Sequence, residues 1–87
     1  MRLDQYLKES RIIKRRTQAK QMCDDGFVYI GKKKAKASYD VKVGDELEIF
    51  FKQKKVKYRV VDIPKKGTPK NIANEFYEVL DESYYEQ

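Results

Sequence analysis

The residues with the clearest chemical potential are two arginines at the start of a predicted helix. Arg15 and Arg16 fall in the first turn of a helix predicted to follow residue 14. A helix N-terminus already presents free N–H groups and a partial positive charge, so cations there are unfavourable unless an anion is nearby. A phosphate group would accept hydrogen bonds from both guanidinium groups and from the backbone. The alternative is that a carboxylate of the chain, such as Asp4 or Glu9, neutralises these arginines.

Further cations surround those arginines in the first half of the chain. Residues 1–43 hold twelve Lys or Arg and five Asp or Glu, a balance of +7, whereas residues 65–87 have a balance of −2. An arginine-rich surface favours recognition of phosphates and base edges, so we expect RNA or DNA as the partner. A solvated charged face is the alternative. The cations of this set are Arg2, Lys8, Arg11, Lys14, Arg15, Arg16 and Lys20.

The composition excludes several kinds of chemistry. The chain has 87 residues, no histidine and one cysteine, which rules out a Ser/His or Cys/His catalytic pair, a Cys/His metal cage and an internal disulfide. The neighbouring acids Asp45, Glu46 and Glu48 are expected to form a turn and balance charge rather than to catalyse. We therefore expect no catalytic residue, no metal site and no cofactor. No apolar run approaches the ~20 residues that span a bilayer, and no leader is visible, which predicts a cytoplasmic protein without a membrane partner.

A short amphipathic helix is predicted near the start of the chain. Its apolar stripe, at i, i+3 and i+4, consists of Leu3, Tyr6 and Leu7. Asp4 lies four residues before Lys8, a spacing that favours an ion pair within a helix. The helix is expected to end near residue 10, and the isoleucines at 12–13 to fill the junction with the next helix.

The second predicted helix combines an apolar face with a basic one. Its apolar stripe consists of Ala19, Met22 and Cys23, and the run 24–26 ends in a glycine suited to the left-handed position past a helix end. Arg16 and Lys20 share a different face, one turn apart. Cys23 is expected to be a small buried hydrophobe, with a reactive thiol as the alternative.

From residue 27 onward the apolar residues alternate with a period of two, which predicts strands. The predicted strands cover residues 27–30, 33–36 after a Gly31-Lys32 turn, 46–51, 57–63 and 76–80. A loop, a helical turn over 70–75 and a frayed acidic tail over 81–87 complete the chain. The expected fold is α+β, with two short N-terminal helices packed on a small, mostly antiparallel twisted sheet. Residues 1–63 form the core and residues 64–87 a C-terminal extension of the same single domain.

Lysines and tyrosines around the first hairpin allow two interpretations each. The lysines of the tip could contact phosphate, or could keep a sheet edge soluble. They are Lys32, Lys33, Lys34 and Lys36. Tyr29 and Tyr39 could stack on an unpaired base, or could fill a half-buried sheet face with a solvated hydroxyl.

Several linked motifs resemble the S4 RNA-binding domain family. They are Arg2-Leu3-Asp4-Gln5-Tyr6-Leu7, Ser10-Arg11, Arg15-Arg16-Thr17-Gln18-Ala19, Gly26 and Val41-Lys42-Val43-Gly44-Asp45-Glu46-Leu47. Their order and spacing match the family over residues 1–50. With Lys14 to Thr17 and the closing segment Tyr77 to Leu80, the chain is most similar to the bacterial ribosome-associated quality control P proteins. That group is related to the heat-shock protein 15 group.

The resemblance implies a non-enzymatic role on the ribosome. In this group the two-helix αL motif binds large-subunit rRNA and peptidyl-site tRNA on obstructed large ribosomal subunits. It stabilises peptidyl-tRNA while a partner tailing factor extends the C-terminus of the stalled chain. RNA contact is implied for Arg2, Arg11, Arg15 and Arg16, supported by Lys20 and the hairpin of Lys32 and Lys34. Off the ribosome a monomer is expected.

Three other functions remain open. One is a ribosome-recycling RNA-binding protein like heat-shock protein 15. Another is the RNA-targeting module of an RNA-modifying enzyme, although the chain has neither residues for a catalytic domain nor a methyltransferase glycine motif. The last is a protein-interaction module that uses the acidic segment 77–87.

Overall fold

Two short helices begin the fold, close to their predicted positions. A computed structural model describes residues 1–65 and 75–85. Helix α1 spans Leu3–Glu9 and helix α2 spans Arg16–Asp24. Gly26 follows α2 with a φ of +83°, a backbone conformation in which a Cβ atom is unfavourable. The predicted glycine terminator of α2 is therefore confirmed.

Five strands form one sheet beneath the helices. Their ranges are β1 Val28–Ile30, β2 Lys33–Lys34, β3 Glu46–Phe50, β4 Lys54–Val60 and β5 Tyr77–Tyr84. The strands lie in the order β2-β1-β3-β4-β5, and each described pair of neighbours is antiparallel. The predicted α+β class and antiparallel sheet are confirmed. The division of the domain at residue 63 stays a prediction.

The core lies between α1 and the central strands. The apolar stripe of α1 is fully buried, as are the inward residues Leu47 and Ile49 of β3. Ile13 is buried at the junction between the helices, as predicted, while Ile12 is half-buried and packs against the same core. The hydroxyl of Tyr6 donates to the carbonyl oxygen of Phe76 at 2.7 Å, which ties α1 to the start of β5.

Two predicted boundaries in the sheet are wrong. Residues 51–53 connect β3 to β4, so β4 covers 54–60 rather than 57–63. The tail predicted to fray after residue 80 instead continues β5 to Tyr84. Pairing with β4 explains this, because Nζ of Lys54 lies 3.2 Å from Oε1 of Glu82 and 5.5 Å from the ring centroid of Tyr84. The predicted loop and helical turn fall largely on residues 66–74, which lie outside the described residues, as do residues 86–87.

Candidate nucleic-acid interface

A buried carboxylate joins the starts of the two helices. Asp4 is only 2% exposed. Its Oδ1 atom lies 3.2 Å from Nε of Arg2, and its Oδ2 atom lies 3.5 Å from Nε of Arg16. The backbone N–H of Gln5 donates a further hydrogen bond to Oδ1 at 2.9 Å. Arg2, the N-cap residue of α1, and Arg16, the first residue of α2, are thereby fixed beside each other.

The alternative that a carboxylate of the chain neutralises the arginines is therefore correct in part. Asp4 does pair with Arg16, but two guanidinium groups share one negative charge, and the side chains of Arg2 and Arg16 remain 47% and 48% exposed. A guanidinium has five N–H donors, so each arginine keeps donors for a ligand. The expected pairing of Asp4 with Lys8 is wrong, because Lys8 instead has its Nζ 3.6 Å from Oε1 of buried Glu9.

Asp4 is held in its ionised form. Burial raises the pKa of Asp4, but the hydrogen bond from Arg2 and the positive charge of Arg16 outweigh burial. The net result is a pKa below the usual value for an aspartate. The fixed negative charge keeps both arginines oriented at neutral pH. Sequence reasoning considered Asp4 as a neutralising acid but missed this positioning role. The sequence signal for this role is the position of Asp4 directly after Leu3, next to the apolar stripe of α1.

The N-terminus of α2 is basic, as predicted, although Arg15 precedes the first turn instead of lying in it. Arg15 is the N-cap residue with an extended backbone (φ −127°), and its side chain makes no capping hydrogen bond. The first turn of α2 contains no acidic residue. The backbone donors of this turn, together with Arg15 and Arg16, are therefore suited to an anionic ligand.

The loop between the helices has a constrained backbone. Arg11 has a φ of +64°, the left-handed region that is unfavourable for residues with a Cβ atom. Its N–H donates to the carbonyl oxygen of Lys8 at 3.0 Å, and the N–H of Ile13 donates to that of Leu7 at 3.0 Å. Arg11 is exposed, as is Lys14, and neither makes an ion pair with any described residue. The loop therefore presents its cations from a fixed backbone.

A groove of about 500 Å³ brings cations from three parts of the chain together. Arg2, Lys20 and Lys34 line it, together with Lys36, which the sequence offered as a possible phosphate contact but which the resemblance did not include among the RNA contacts. Lys34 lies across the end of α2, since a Cβ atom built on Gly26 would be 3.3 Å from its Nζ atom. Lys20 is paired with Asp24 at 2.9 Å. The signal for Lys36 was present in the sequence, in the alternating lysines that continue past the hairpin turn.

Other predicted candidates lie elsewhere. Lys32 is exposed in the turn between β1 and β2 and does not line this groove. The hydroxyl of Tyr39 donates to Oδ2 of Asp45 at 2.9 Å, and this hydrogen bond raises the pKa of Tyr39. Asp45 also accepts a hydrogen bond from the backbone N–H of Lys42, which confirms its predicted role in a turn. Cys23 is buried, as predicted, and burial raises the pKa of its thiol to about 11.

Residues 1–65 and 75–85 contain no helix that could span a membrane and no cluster of metal-binding side chains. Both helices in this part of the chain are too short and too polar to cross a bilayer. The same residues contain no group of three or more Cys, Asp or Glu side chains that could hold a metal ion.

Comparison with known proteins identifies the family to which this fold belongs. Residues 1–47 match the S4 domain family. The chain is 50% identical over 82 residues to a Bacillus subtilis protein named RQC P-site tRNA stabilizing factor, covering 94% of each chain. It is 45% identical over 87 residues to the Streptococcus pneumoniae protein of that name, covering all of this chain and 98% of the relative.

A solved structure supports the fold independently. The heat shock protein 15 of Vibrio cholerae, described as trimeric, superposes with a TM-score of 0.82. The match covers 91% of this chain and 80% of that protein at 24% identity, so it concerns the fold alone. The helices and sheet described above are thus those of an S4 domain with a C-terminal strand. This chain belongs to the S4 domain family. More specifically, it belongs to the family of RQC P-site tRNA stabilizing factors.

Proposed function

We propose that this protein is a non-enzymatic RNA-binding factor of bacterial ribosome-associated quality control. It binds obstructed large ribosomal subunits and stabilises peptidyl-tRNA in the peptidyl site. The observation that supports this most directly is the corner where the two helices meet. There Asp4 orients Arg2 and Arg16 outward, beside the exposed cations of the interhelical loop. Relatives that share up to half of the sequence carry a name that specifies this ligand.

The charge arrangement fits an RNA backbone better than a small ligand. Phosphates repeat along a strand, and cations from two helices and a loop can contact several of them at once. We propose Arg2, Arg11, Arg15 and Arg16 as the main contacts, because their guanidinium groups can bind a phosphate through two hydrogen bonds. The supporting contacts are Lys14, Lys20, Lys32 and Lys34. Lys8 is the weakest member of the predicted set, since it is paired with Glu9.

Further steps of the proposal concern partners and location. The protein acts in the cytoplasm on the ribosome, contacts large-subunit rRNA and tRNA together, and is a monomer when free. Its stabilisation of peptidyl-tRNA allows a separate tailing factor to extend the stalled chain. This step predicts that cells without the protein lose C-terminal tails on stalled chains. Complementation with wild-type protein, but not with a variant unable to bind RNA, should restore them.

Co-sedimentation with large subunits that carry peptidyl-tRNA tests the binding step. The variant Arg11→Glu with Arg15→Glu should bind at least about tenfold more weakly, because two phosphate contacts become repulsive. The variant Lys42→Glu with Lys57→Glu is the control, since it has the same net charge and changes residues outside the proposed contacts. Because Lys57 pairs with Glu46 at 3.5 Å, thermal unfolding checks that both double variants are folded. Arg16 is left unchanged, because a glutamate there would face the buried Asp4. Equal sedimentation of the two double variants would defeat the proposal.

A further inference from the structure

A second groove, of about 1110 Å³, lies along a different flank of α2. We call it the aromatic groove, and its rings are Phe27, Tyr29, Phe50, Phe51, Tyr84 and Tyr85. Three of these residues are exposed to solvent, with exposed fractions of 46% for Phe27, 66% for Tyr84 and 43% for Tyr85. Tyr29 meets Phe50 edge to face, with their centroids 5.5 Å apart. The groove therefore offers fixed rings at its base and accessible rings at its margin.

The charged residues that line the aromatic groove are lysines, and Glu82 lies next to the lining, where it accepts a hydrogen bond from the hydroxyl of Tyr84 at 3.2 Å. Lys52 and Lys54 line it, and none of its described lining residues is acidic. Lys52 is exposed and makes no ion pair with a described residue, whereas Lys54 is paired with Glu82. Outside the lining, Nζ of Lys55 lies 5.9 Å from the ring centroid of Phe50. Lys52 is thus the unpaired cation among the described residues that line the groove. Rings combined with cations are typical of surfaces that bind single-stranded nucleic acid, where bases stack and phosphates are neutralised.

Helix α2 connects the aromatic groove to the cluster of Arg2, Arg15 and Arg16 where the two helices meet, which we call the arginine corner. Gln18 and Met22 form the helical wall of the groove. They follow Arg15 at i+3 and i+7, the spacing of residues that share one face of a helix. An RNA strand whose phosphate lies at the start of α2 could therefore continue along this flank. The other flank carries Arg16 and Lys20, so the two surfaces are distinct.

We propose that the aromatic groove binds unpaired RNA nucleotides, with bases stacked on Phe27, Tyr84 and Tyr85 and a phosphate near Lys52. This proposal rests on the proposed function only because it takes RNA as the ligand. It adds a single-stranded RNA segment to the contacts made at the arginine corner. Exposed apolar surface often marks a protein interface instead. The lysines and the acid-free lining favour the polyanion.

Titration of the full chain with a six-nucleotide adenosine RNA, in the absence of ribosomes, tests whether the aromatic groove binds RNA. The chain has no tryptophan, so stacking should quench its tyrosine emission and shift the NMR signals of the groove rings. Phe27→Ala with Tyr85→Ala should weaken binding by about tenfold or more, because each stacked base contributes substantially. Val43→Ala with Val79→Ala, which trims two exposed apolar residues elsewhere, should bind within about twofold of wild type. No binding by the wild type, or equal binding by both variants, would overturn the proposal.

Crosslinking on large subunits identifies the occupant of the aromatic groove. A photoreactive p-benzoylphenylalanine in place of Phe27 keeps an aromatic ring at the margin. Crosslinks to rRNA or tRNA support the proposal, whereas crosslinks mainly to a ribosomal protein or to a second copy of this chain overturn it. The two proposals can fail separately. If the wild type does not bind large subunits, the proposed function is wrong, but the adenosine titration still tests whether the aromatic groove binds RNA.

Discussion

Asp4 and Arg16 meet across the two helices, with 3.5 Å between Oδ2 of the aspartate and Nε of the arginine. The carboxylate is buried, whereas the guanidinium is about half exposed. A buried charge is unfavourable without partners, so the arginines are required by the fold as well as available to a ligand. The proposed interface is thus partly built from interactions that hold α1 against α2.

Replacing Asp4 should therefore destabilise the fold. We expect Asp4→Asn to lower the free energy of unfolding by about 1–3 kcal/mol, because the charged hydrogen bonds from Arg2 are weakened and the ion pair with Arg16 is lost. Asp25→Asn is the control, since Asp25 is exposed and accepts a hydrogen bond only from the Gln21 side chain among the described side chains. Chemical denaturation at pH 7 measures both. A loss no larger than that of Asp25→Asn would contradict the positioning role.

The same pair predicts a pH dependence. The pKa of Asp4 is lower in the folded state than in the unfolded chain, so its contribution to stability is fully present above the unfolded value of about 4. The contribution is lost as the pH falls through the lower folded pKa. The difference in stability between the wild type and Asp4→Asn should be constant from pH 6 to pH 8 and shrink in acid. A difference that grew in acid would have the wrong sign.

Arg15→Glu should change stability and RNA binding in opposite directions. A glutamate at the start of α2 suits the helix dipole, so we expect the free energy of unfolding to rise by about 0.3–1 kcal/mol. Removal of a phosphate contact should weaken binding to large subunits. Thermal unfolding and co-sedimentation of one preparation measure both effects. If stability and binding fell together, the loss of binding could be explained by a damaged fold.

Arg11→Gly separates backbone strain from charge. Glycine removes the Cβ atom that makes a φ of +64° unfavourable, although it also raises the entropy of the unfolded chain. We expect a stability equal to wild type or higher by up to about 1 kcal/mol, with weaker RNA binding. Arg11→Ala keeps the strain and removes the charge, so it should bind as weakly without being more stable than wild type. Wild-type affinity in both variants would remove Arg11 from the interface.

Salt dependence counts the phosphates that the protein neutralises. With about five contacts, the logarithm of the affinity should fall with the logarithm of the salt concentration at a slope of about −3.5 to −4.5. Arg15→Gln should make the slope shallower by about one unit. Binding titrations between low and physiological salt provide both slopes. A slope near zero would argue against an interface formed by arginines.

The sequence predicted the elements whose signals are local. The stripe of α1, the glycine after α2 and the Gly31-Lys32 turn each lie within a few residues, and all three are confirmed. The end of β5 could not be predicted, because Glu82 and Tyr84 find Lys54 only when β4 and β5 pair. A segment that is acidic and polar in isolation became a strand through these distant partners.

The candidate site was predictable in its charges but not in its arrangement. The excess of arginine and lysine before residue 43 is visible in the sequence, and so is the missing acid in the first turn of α2. Which cations are already paired depends on the tertiary fold, as the pairing of Lys8 with Glu9 and of Lys20 with Asp24 demonstrates. The individual RNA contacts stay predictions until the variants above are measured.

The hydrogen bond from Tyr6 to Phe76 also constrains when the fold can form. Its two ends are 70 positions apart, and the tyrosine is completely enclosed by the core. During translation, the first helix cannot acquire its final surroundings until most of the polypeptide has been synthesised. We therefore expect this domain to fold late, after residue 76 has emerged from the ribosome that makes it.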